Sequence, residues 1–416
     1  MDRSNILRIW LIISQSDPQE NSTYLKTFLS EFERRHAIKI QEEYVTWDRV
    51  LTALIKAFKN DNAPDVIMVG TSWMRTLVHM GYLSQVPDWV DFEPAINQGI
   101  NKVCKYDGKY FAVPWITETV IMAGRKDYMS KLNINRKDLE DWQGLKETVK
   151  RITEMRKKDK DVPKPLSLAI KRENDTIQRF FSFLWSHGWS FPDLSEIPEK
   201  LVYDPFVIDM IKNFATLKII NENPEEMKVH PYEVNEEFYD YGKSVFYIGS
   251  WYAIVDRINN ADWGDENKKA AANYSVLPFP DSGGGSVTYG GGTVLAVPAC
   301  SGKKEKAWRL VEYLINDKLI RKIDIGNVPA FEDEFWQKKN EDNRVKLMYE
   351  QTINSNIYPI HPAWISIEKQ IINGVASILL SLVKNERNDL DEKELSLLEK
   401  TDQKIKKIIN MSWEVK

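Results

Sequence analysis

One short segment places an aromatic ring and a carboxylate near each other between two apolar runs. Residues 111–127 read FAVPWITETVIMAGRKD, and this segment holds Trp115, Glu118 and almost no turn residues. A carboxylate is costly to bury without a partner, so the pair is awkward for a protein core. An aromatic face beside a hydrogen-bonding acid suits a ligand that has both apolar and polar surface. The segment therefore predicts a ligand site.

The signatures of catalysis, phosphate binding and metal binding are missing from the sequence. The glycine-rich segment SGGGSVTYGGG, residues 282–292, fits neither the P-loop nor the GxGxxG spacing. We interpret its glycines as a hinge or as backbone in close approach to a ligand. None of the five histidines is spaced for zinc, and no GxSxG elbow occurs, so no metal and no cofactor are predicted. Acidic pairs such as Glu236 and Glu237 leave a glycoside hydrolase open as an alternative.

The composition is that of a globular protein with more than one domain. The 416 residues predict two or three domains, and the formal charge of −4 gives no basic excess that would suit a nucleic-acid partner. Cys104 and Cys300 are expected to be structural thiols, and their separation does not decide whether they form a disulfide. No apolar stretch is expected to approach the roughly 20 residues that a membrane-spanning helix needs. The unusual count is tryptophan, with 14 residues, several of them next to predicted strand ends.

The first third of the chain alternates predicted strands and helices. Residues 6–13 (ILRIWLII), 38–45 (IKIQEEYV) and 64–70 (PDVIMVG) read as strands, the first and third buried on both faces. A helix follows each strand, and Thr46 is placed to cap the second helix. This βαβαβ order predicts a mostly parallel sheet with crossover helices.

Ligands of such sheets bind beyond the carboxyl ends of the strands. Polar and aromatic residues follow each predicted strand at that edge: Ser14, Gln15 and Ser16, then Thr46, Trp47 and Asp48, then Thr71, Ser72 and Trp73. We therefore expect the three loops to form one mouth.

The remainder of the chain reads as more helical. Further strands are predicted at 245–250, 273–280 and 293–298, and helices at 139–158, 303–316, about 362–384 and about 391–413. Asp391 and Glu394 open the last helix at capping-box spacing. Trp10 and Trp308 alternate with apolar residues and are predicted to lie in the core, whereas the role of Trp185 and Trp189, at a helix end, stays open.

Four segments together resemble a known family. They read, in order, APDVIMVGTSWMRTLVHMGYLSQV, GKYFAVPWITETVIMAGRKD, GKSVFYIGSWYAI and GGGTVLAVPACSGKKEKAWRLVEYL. Their order and spacing resemble the extracellular solute-binding proteins of family 1, the sugar-binding subunits of bacterial ABC importers, over nearly the whole chain. Residues 69–72 lack the aromatic and aspartate of the maltose binders, so maltose itself is not implied.

The resemblance implies an α/β fold of the two-lobe periplasmic-binding-protein type II, with a hinge and a ligand cleft between the lobes. Lobe one would comprise residues 1–114 and 287–330, and lobe two residues 115–286 and 331–416. The crossings would lie near 113–118, 283–292 and 328–335. Segment 111–127 would then be the first crossing, with Trp115 and Glu118 at the floor of the cleft.

A sugar ring has an apolar face of C–H bonds and a rim of hydroxyls. A tryptophan ring can stack on the apolar face, and carboxylate or amide groups can hydrogen-bond the hydroxyls. On this basis the resemblance implies three stacking candidates, namely Trp251, Trp364 and Trp115. The further ligand-binding residues that it implies are Glu118, Gln178, Trp47, Asp48, Ser14, Gln15, Ser72 and Trp73. Gly291 and Gly292 would let the backbone approach the ligand.

The resemblance also implies a non-enzymatic binding component that takes a sugar or oligosaccharide and docks with the permease subunits of an ABC transporter. We expect a monomer in the periplasm or at the outer face of the membrane. No secretory signal follows Met1, so we expect that the export signal has been removed from this sequence. A carbohydrate-active enzyme stays open as an alternative, as does a binding protein for a peptide, a polyamine or a metal chelate.

Overall fold

The structure is a computed structural model that describes residues 5–13, 26, 29–221, 231–239, 242–251, 273–316 and 328–414. The chain forms two compact units. Unit 1 comprises Met1–Thr117 and Gly291–Gln337, and unit 2 comprises Glu118–Gly290 and Lys338–Lys416. The chain therefore passes between the units three times. The lobe boundaries expected from the sequence, at 114, 286 and 330, lie a few residues before these passages.

The described strands and helices are as follows. The strands are β1 (Ile6–Ile13), β2 (Lys39–Thr46), β3 (Val66–Gly70), β4 (Lys105–Tyr106), β5 (Lys109–Tyr110), β6 (Val113–Arg125), β7 (Lys164–Leu168), β8 (Ser244–Ser250), β9 (Tyr274–Leu277), β10 (Gly290–Ala296) and β11 (Val328–Pro329). The helices are α1 (Trp47–Lys59), α2 (Met74–His79), α3 (Gln98–Cys104), α4 (Lys126–Lys131), α5 (Trp142–Lys158), α6 (Asn174–Ser186), α7 (Pro205–Ile219), α8 (Pro231–Tyr239), α9 (Lys304–Asn316), α10 (Glu334–Gln337), α11 (Asn343–Ile353), α12 (Trp364–Ile371), α13 (Ser377–Lys384) and α14 (Glu392–Glu414). Short 3₁₀ turns cover Thr71–Trp73, Arg136–Leu139 and Lys338–Asn340.

The sheet of unit 1 is centred on β1. This strand pairs in parallel with β2 on one side and with β3 on the other. The predicted parallel core is therefore confirmed, as is the burial of β3 along its whole length. β10 pairs antiparallel with β3, which the sequence pattern did not predict. It enters the sheet at a passage between the units and not from a crossover helix, so the parallel rule does not apply to it.

The sheet of unit 2 combines β6, β7, β8 and β9. β6 pairs antiparallel with both β8 and β9, and β8 pairs in parallel with β7. An apolar cluster packs against this sheet and includes side chains from α5, α6, α7, α12 and α13. Phe180, Phe181, Phe183 and Phe214 belong to it, so aromatic packing holds much of this unit together.

The C-terminal helices depart from their prediction in one respect. The expected single helix over 362–384 is interrupted by a π-helical turn at Ile372–Ala376 between α12 and α13. A Cβ at Gly374 would lie 2.5 Å from the Thr401 hydroxyl oxygen, so the glycine lets α14 pack closely against this turn. The capping box of α14 is confirmed, because the Asp391 and Glu394 side chains each accept the other residue's backbone N–H, at 2.9 and 3.0 Å.

The segment Trp364–Lys384 is long and apolar enough, by length and composition, to cross a membrane. Half of its most apolar window is buried in the protein, and Ile367, Ile371 and Leu379 belong to the core of unit 2. The placement is that of a core helix. Trp10 and Trp308 are buried as predicted, and Cys104 and Cys300 are free thiols.

Candidate functional site

The loops that follow β2 and β3 bring two tryptophans together in unit 1. Trp47 begins α1, Trp73 ends the 3₁₀ turn after β3, and their indole rings meet edge to face with centroids 5.7 Å apart. Trp73 is buried, with 7% of its surface exposed, whereas Trp47 remains 44% exposed. The expected convergence of these two loops is therefore found in the structure. Trp47 can offer an aromatic face, and Trp73 supports it.

The polar neighbours of Trp47 are arranged differently from the helix cap that the sequence pattern predicts. Thr46 does occupy the N-cap position of α1, but its side chain makes no cap hydrogen bond. Its hydroxyl instead donates to the Asp48 carboxylate at 2.5 Å, which orients the exposed acid that follows Trp47 in α1. Ser72 is half-buried in the neighbouring turn. Ser14 and Gln15, expected at the same edge, lie outside the described residues.

Trp115 is half-buried at the end of unit 1 that leads into unit 2 along β6. Its carbonyl accepts the Ala330 N–H at 2.9 Å, so its backbone is fixed by the short strand β11. The side chain keeps part of its surface accessible, as a ligand contact requires.

Unit 2 gathers ionisable groups around Glu118. The Ser250 side chain hydrogen-bonds the Glu118 carboxylate, and Asp175 and Arg179 act on it electrostatically. Desolvation raises the pKa of Glu118 above its ordinary value and Asp175 raises it further, while Ser250 and Arg179 act in the opposite direction. Glu118 is half-buried and the Asp175 side chain is 47% exposed, so each carboxylate residue keeps part of its surface accessible.

A buried polar support lies behind these carboxylates. Arg179 is 3% exposed, and its Nε donates to the Ile248 carbonyl at 3.1 Å. The Tyr247 hydroxyl hydrogen-bonds Arg179 and donates to the Ser250 carbonyl at 3.1 Å. A Cβ at Gly249 would lie 2.2 Å from the Tyr247 hydroxyl oxygen, so only glycine fits there. The end of β8 is thereby held in one geometry.

These supporting residues did not stand out in the sequence. Asp175 and Arg179 are four positions apart on α6, which would suggest an ordinary helical ion pair, and their closest contact is 3.9 Å. The predicted ligand residue Gln178 is half-buried on the same helix. The available signal was an arginine within the otherwise apolar run of α6.

The two leading stacking candidates are more deeply buried than expected. Trp251 directly follows β8 and is 1% exposed, and Trp364 is also 1% exposed. Trp364 packs against Phe191 at 5.5 Å and Tyr358 at 5.0 Å between ring centroids, inside the core cluster of unit 2. Neither ring presents an accessible face in this structure, because the surrounding packing covers it. The expected open platforms are corrected accordingly, and a ligand role for either residue stays a prediction.

The glycines expected to approach a ligand instead approach the chain's own backbone. Gly292 has a φ of 137°, and a Cβ there would lie 2.0 Å from the Ile116 carbonyl oxygen. The Gly291 carbonyl accepts the Thr117 hydroxyl at 3.2 Å. In the glycine-rich loop, a Cβ at Gly284 would lie 1.9 Å from the Trp185 carbonyl oxygen. The observed contacts of these glycines are with protein, and their approach to a ligand stays a prediction.

Within the described part of the chain, no group of three or more histidine, cysteine, aspartate or glutamate side chains could hold a metal ion. The arrangement that the structure does provide is an exposed indole followed in α1 by an exposed acid in unit 1, and partly accessible carboxylates on a rigid support in unit 2. Such groups bind neutral polar molecules through apolar contact and hydrogen bonds.

Comparison with known proteins agrees with these features. The sequence profile described as bacterial extracellular solute-binding protein matches residues 27–339. The diacetylchitobiose binding protein DasA of Streptomyces coelicolor is 20% identical over 384 residues, which are 91% of this chain and 85% of that protein.

Two solved structures share the fold. A solute-binding protein of an ABC transporter from Thermotoga lettingae, bound with alpha-D-tagatose, superposes with a TM-score of 0.79 at 20% identity, covering 97% of this chain and 100% of the other. Maltose-bound MalE3 of T. maritima superposes with a TM-score of 0.78 at 18% identity, covering 97% of this chain and 99% of the other. The expected two-lobe α/β fold of the periplasmic-binding-protein type is thereby confirmed.

Proposed function

The chain belongs to the bacterial extracellular solute-binding proteins, and from this premise we propose that it is the sugar-binding component of an ABC importer. The observation that carries the ligand class is the exposed indole of Trp47, which is followed in α1 by the exposed, oriented carboxylate of Asp48. A sugar is the common solute whose ring has both an apolar face and a rim of hydroxyls. The relatives named above are themselves described with sugars as ligands.

In this proposal the ligand binds between two lobes that close on it, and residues from both units contact it. Unit 1 contributes Trp47, Asp48 and Trp115, and unit 2 contributes Glu118 and Gln178. Ser14, Gln15, Ser72, Trp73, Trp251, Trp364, Gly291 and Gly292 complete the proposed set. The half-buried Glu118 supports this assignment, because a carboxylate held by Ser250 can still accept hydroxyl groups of a ligand.

The transport role follows from the family. The protein would work as a monomer in the periplasm or at the outer face of the membrane and would deliver its sugar to permease subunits. It would bind the sugar without chemical turnover. The family and the solved relatives consist of binding proteins, which supports a binding role over a glycoside hydrolase.

A thermal-shift screen tests the proposal. The purified protein would be heated with mono- and oligosaccharides, with an amino acid, a dipeptide and spermidine as non-sugar solutes. A ligand that binds only the native state raises Tm, by an amount that corresponds to about 2.7 kcal/mol at 100 times Kd. We expect at least one sugar to raise Tm and the non-sugar solutes to leave it unchanged. A rise in Tm with a non-sugar solute and none with any sugar would exclude the proposal that this protein is the sugar-binding component of a transporter.

A further inference from the structure

We propose that a cavity within unit 2 binds an organic cation, namely a protonated or quaternary amine that carries an apolar group, at a site separate from the sugar. The cavity has a volume of about 410 Å³, within the ordinary range for small-molecule sites. Its lining comes from the end of α6, the loop that follows it and the segment before α12. None of the described residues that line it belongs to the set proposed to bind the sugar.

The cavity and the carboxylates near Glu118 lie toward opposite ends of α6. Asp175 is in the first turn of this helix, whereas Trp185, at the cavity, is next to its last residue. Tyr358 is buried in the core of unit 2. Its hydroxyl donates to Asn174 at 3.0 Å, and the residues on either side of it line the cavity. The Tyr358 side chain therefore separates the cavity from the start of α6.

Two aromatic rings form an apolar wall of the cavity. Trp185 and Phe191 both line it, with ring centroids 6.3 Å apart and ring planes at 64°. Both rings also contact the core residue Phe181, at centroid distances of 5.9 and 4.7 Å, so they are held in place before any ligand arrives. An aromatic ring attracts a cation that lies over its face, and a preorganised ring does so with little ordering cost.

Three prolines make the lining poor in hydrogen-bond donors. They are Pro192, Pro359 and Pro362. Proline has no backbone N–H, and N–H groups are donors with which proteins bind carboxylates and phosphates. No lysine or arginine is among the described residues that line the cavity. The lining is therefore unsuited to an anion.

One carboxylate gives the cavity a negative charge. Asp193 is an exposed residue of the lining, and its carboxylate accepts the Ser195 N–H at 2.8 Å. The Ser195 amide and hydroxyl hold the pKa of Asp193 below its ordinary value, so the group is ionised at neutral pH. A single carboxylate is too small a ligand set for a metal ion, whereas a carboxylate in the same cavity as aromatic rings suits an amine. The charge and the rings together favour an organic cation.

The ligand that suits this cavity has one cationic group next to a compact apolar group. An amino acid or a dipeptide also carries a carboxylate, for which the described lining offers no lysine or arginine. Spermidine spreads its charges along a flexible chain and has no compact apolar group. We therefore expect these three solutes not to bind here, and they remain suitable negatives in the thermal-shift screen.

Three soluble compounds of similar size and different charge test the site. At neutral pH, phenethylamine is a cation, phenylethanol is uncharged and phenylpropanoate is an anion. Each would be titrated into the sugar-free protein by calorimetry, with ligand-detected NMR to follow weak binding. We expect saturable binding of one amine per chain, with an affinity about fivefold or more above that of the alcohol, from the cation–π and ion-pair contributions. The anion should bind more weakly than the alcohol.

Two substitutions with matched controls locate the binding. Asp193→Asn should weaken binding of the amine by about twofold to fivefold and leave binding of the alcohol unchanged. Asp159→Asn is its control, since Asp159 is also exposed and accepts the N–H two residues further on, at 3.0 Å. Ser190→Arg, at an exposed position of the lining, adds bulk and positive charge and should weaken the amine by about tenfold or more. Ser366→Arg places the same side chain on an exposed site of α12 outside the described lining and should keep the binding.

Absence of saturable phenethylamine binding, or equal affinity for the amine and the alcohol, would overturn the cation site. Full affinity for the amine in both Asp193→Asn and Ser190→Arg would place the amine elsewhere and overturn it as well. None of these titrations contains a sugar. Failure of the cation site therefore leaves the proposed sugar-binding function standing, and a protein that binds no sugar leaves the cation site standing.

Discussion

The indole of Trp47 rests edge to face on the indole of Trp73, with ring planes at 65° and centroids 5.7 Å apart. Gly70 lies beneath both rings, since a Cβ there would be 3.4 Å from Trp47 and 3.5 Å from Trp73. The buried ring fixes the orientation of the exposed one. A side chain that is 44% exposed and yet held in place is well suited to bind a ligand with little loss of side-chain entropy.

Trp47→Ala is therefore expected to weaken sugar binding and leave the fold intact. Loss of one aromatic contact costs about 0.5–1.5 kcal/mol, which corresponds to a Kd that is about 2-fold to 12-fold higher. Trp89 is equally exposed in unit 1 and has no proposed role, so Trp89→Ala serves as a matched control. Calorimetric titration of both variants checks the prediction, and equal affinities in the two variants would remove Trp47 from the site.

Glu118 should give sugar binding a dependence on pH. Its folded-state pKa is raised, chiefly by desolvation, so it takes up a proton at a higher pH than an ordinary glutamate. The protonated acid is a poorer acceptor for ligand hydroxyls, so affinity should fall as pH is lowered from neutral. Glu118→Gln should bind more weakly at pH 7 and lose much of this dependence. Binding titrations from pH 5 to 8 measure this dependence, and Glu196→Gln, at an exposed position, is the control. The same pH profile of affinity in the wild type and in Glu118→Gln would contradict a ligand-binding role for Glu118.

Glu368 should make the free energy of unfolding depend on pH in the opposite sense to most carboxylates. It is 6% exposed, its Oε1 has no hydrogen-bond partner among the described residues, and desolvation raises its pKa to about 8. Between the pKa of the unfolded state and that of the folded state, Glu368 keeps its proton in the folded protein but has lost it in the unfolded protein. Stability is therefore full below the unfolded-state pKa and falls between there and about pH 8, by up to about 1.4 kcal/mol per pH unit.

Glu368→Gln removes this contribution to the pH dependence of the free energy of unfolding, because the amide cannot ionise. Urea unfolding from pH 5 to 9 should show the wild type losing stability relative to the variant as pH rises. A constant difference between the two proteins across that range would show that Glu368 is not neutral in the folded state.

Gly292→Ala is expected to destabilise unit 1. The residue has a φ of 137°, and an added methyl group would meet the Ile116 carbonyl. Backbone strain and overpacking together cost about 2–4 kcal/mol. Gly302→Ala is the control, since a Cβ there meets nothing within 4 Å and its φ is not positive. Chemical denaturation compares them, and equal stabilities would show that β10 can shift away from β6 without cost.

The fold could be predicted from local patterns to a large extent, whereas the site could not. The continuous apolar sequences of β1 and β3 show burial on both faces, and Asp391 with Glu394 marks a helix start, because these signals act within a few residues. The convergence of Trp47 and Trp73 followed from strand order. Exposure is different, because it depends on packing between distant segments. Trp364 reads as a platform and is enclosed by Phe191 and Tyr358. Arg179, for which no local pattern predicted a role, is buried and donates to the Ile248 carbonyl of β8.

The most direct test of the central claim combines binding with recovery of the ligand. The sugar that gives the largest thermal shift would be titrated into the protein by calorimetry, and the same mixture would be incubated for a day and its sugars separated by chromatography. We predict saturable binding of one sugar per chain and complete recovery of the intact ligand. Cleavage products that accumulate with time and with protein concentration would contradict the claim that this protein binds its sugar without turnover.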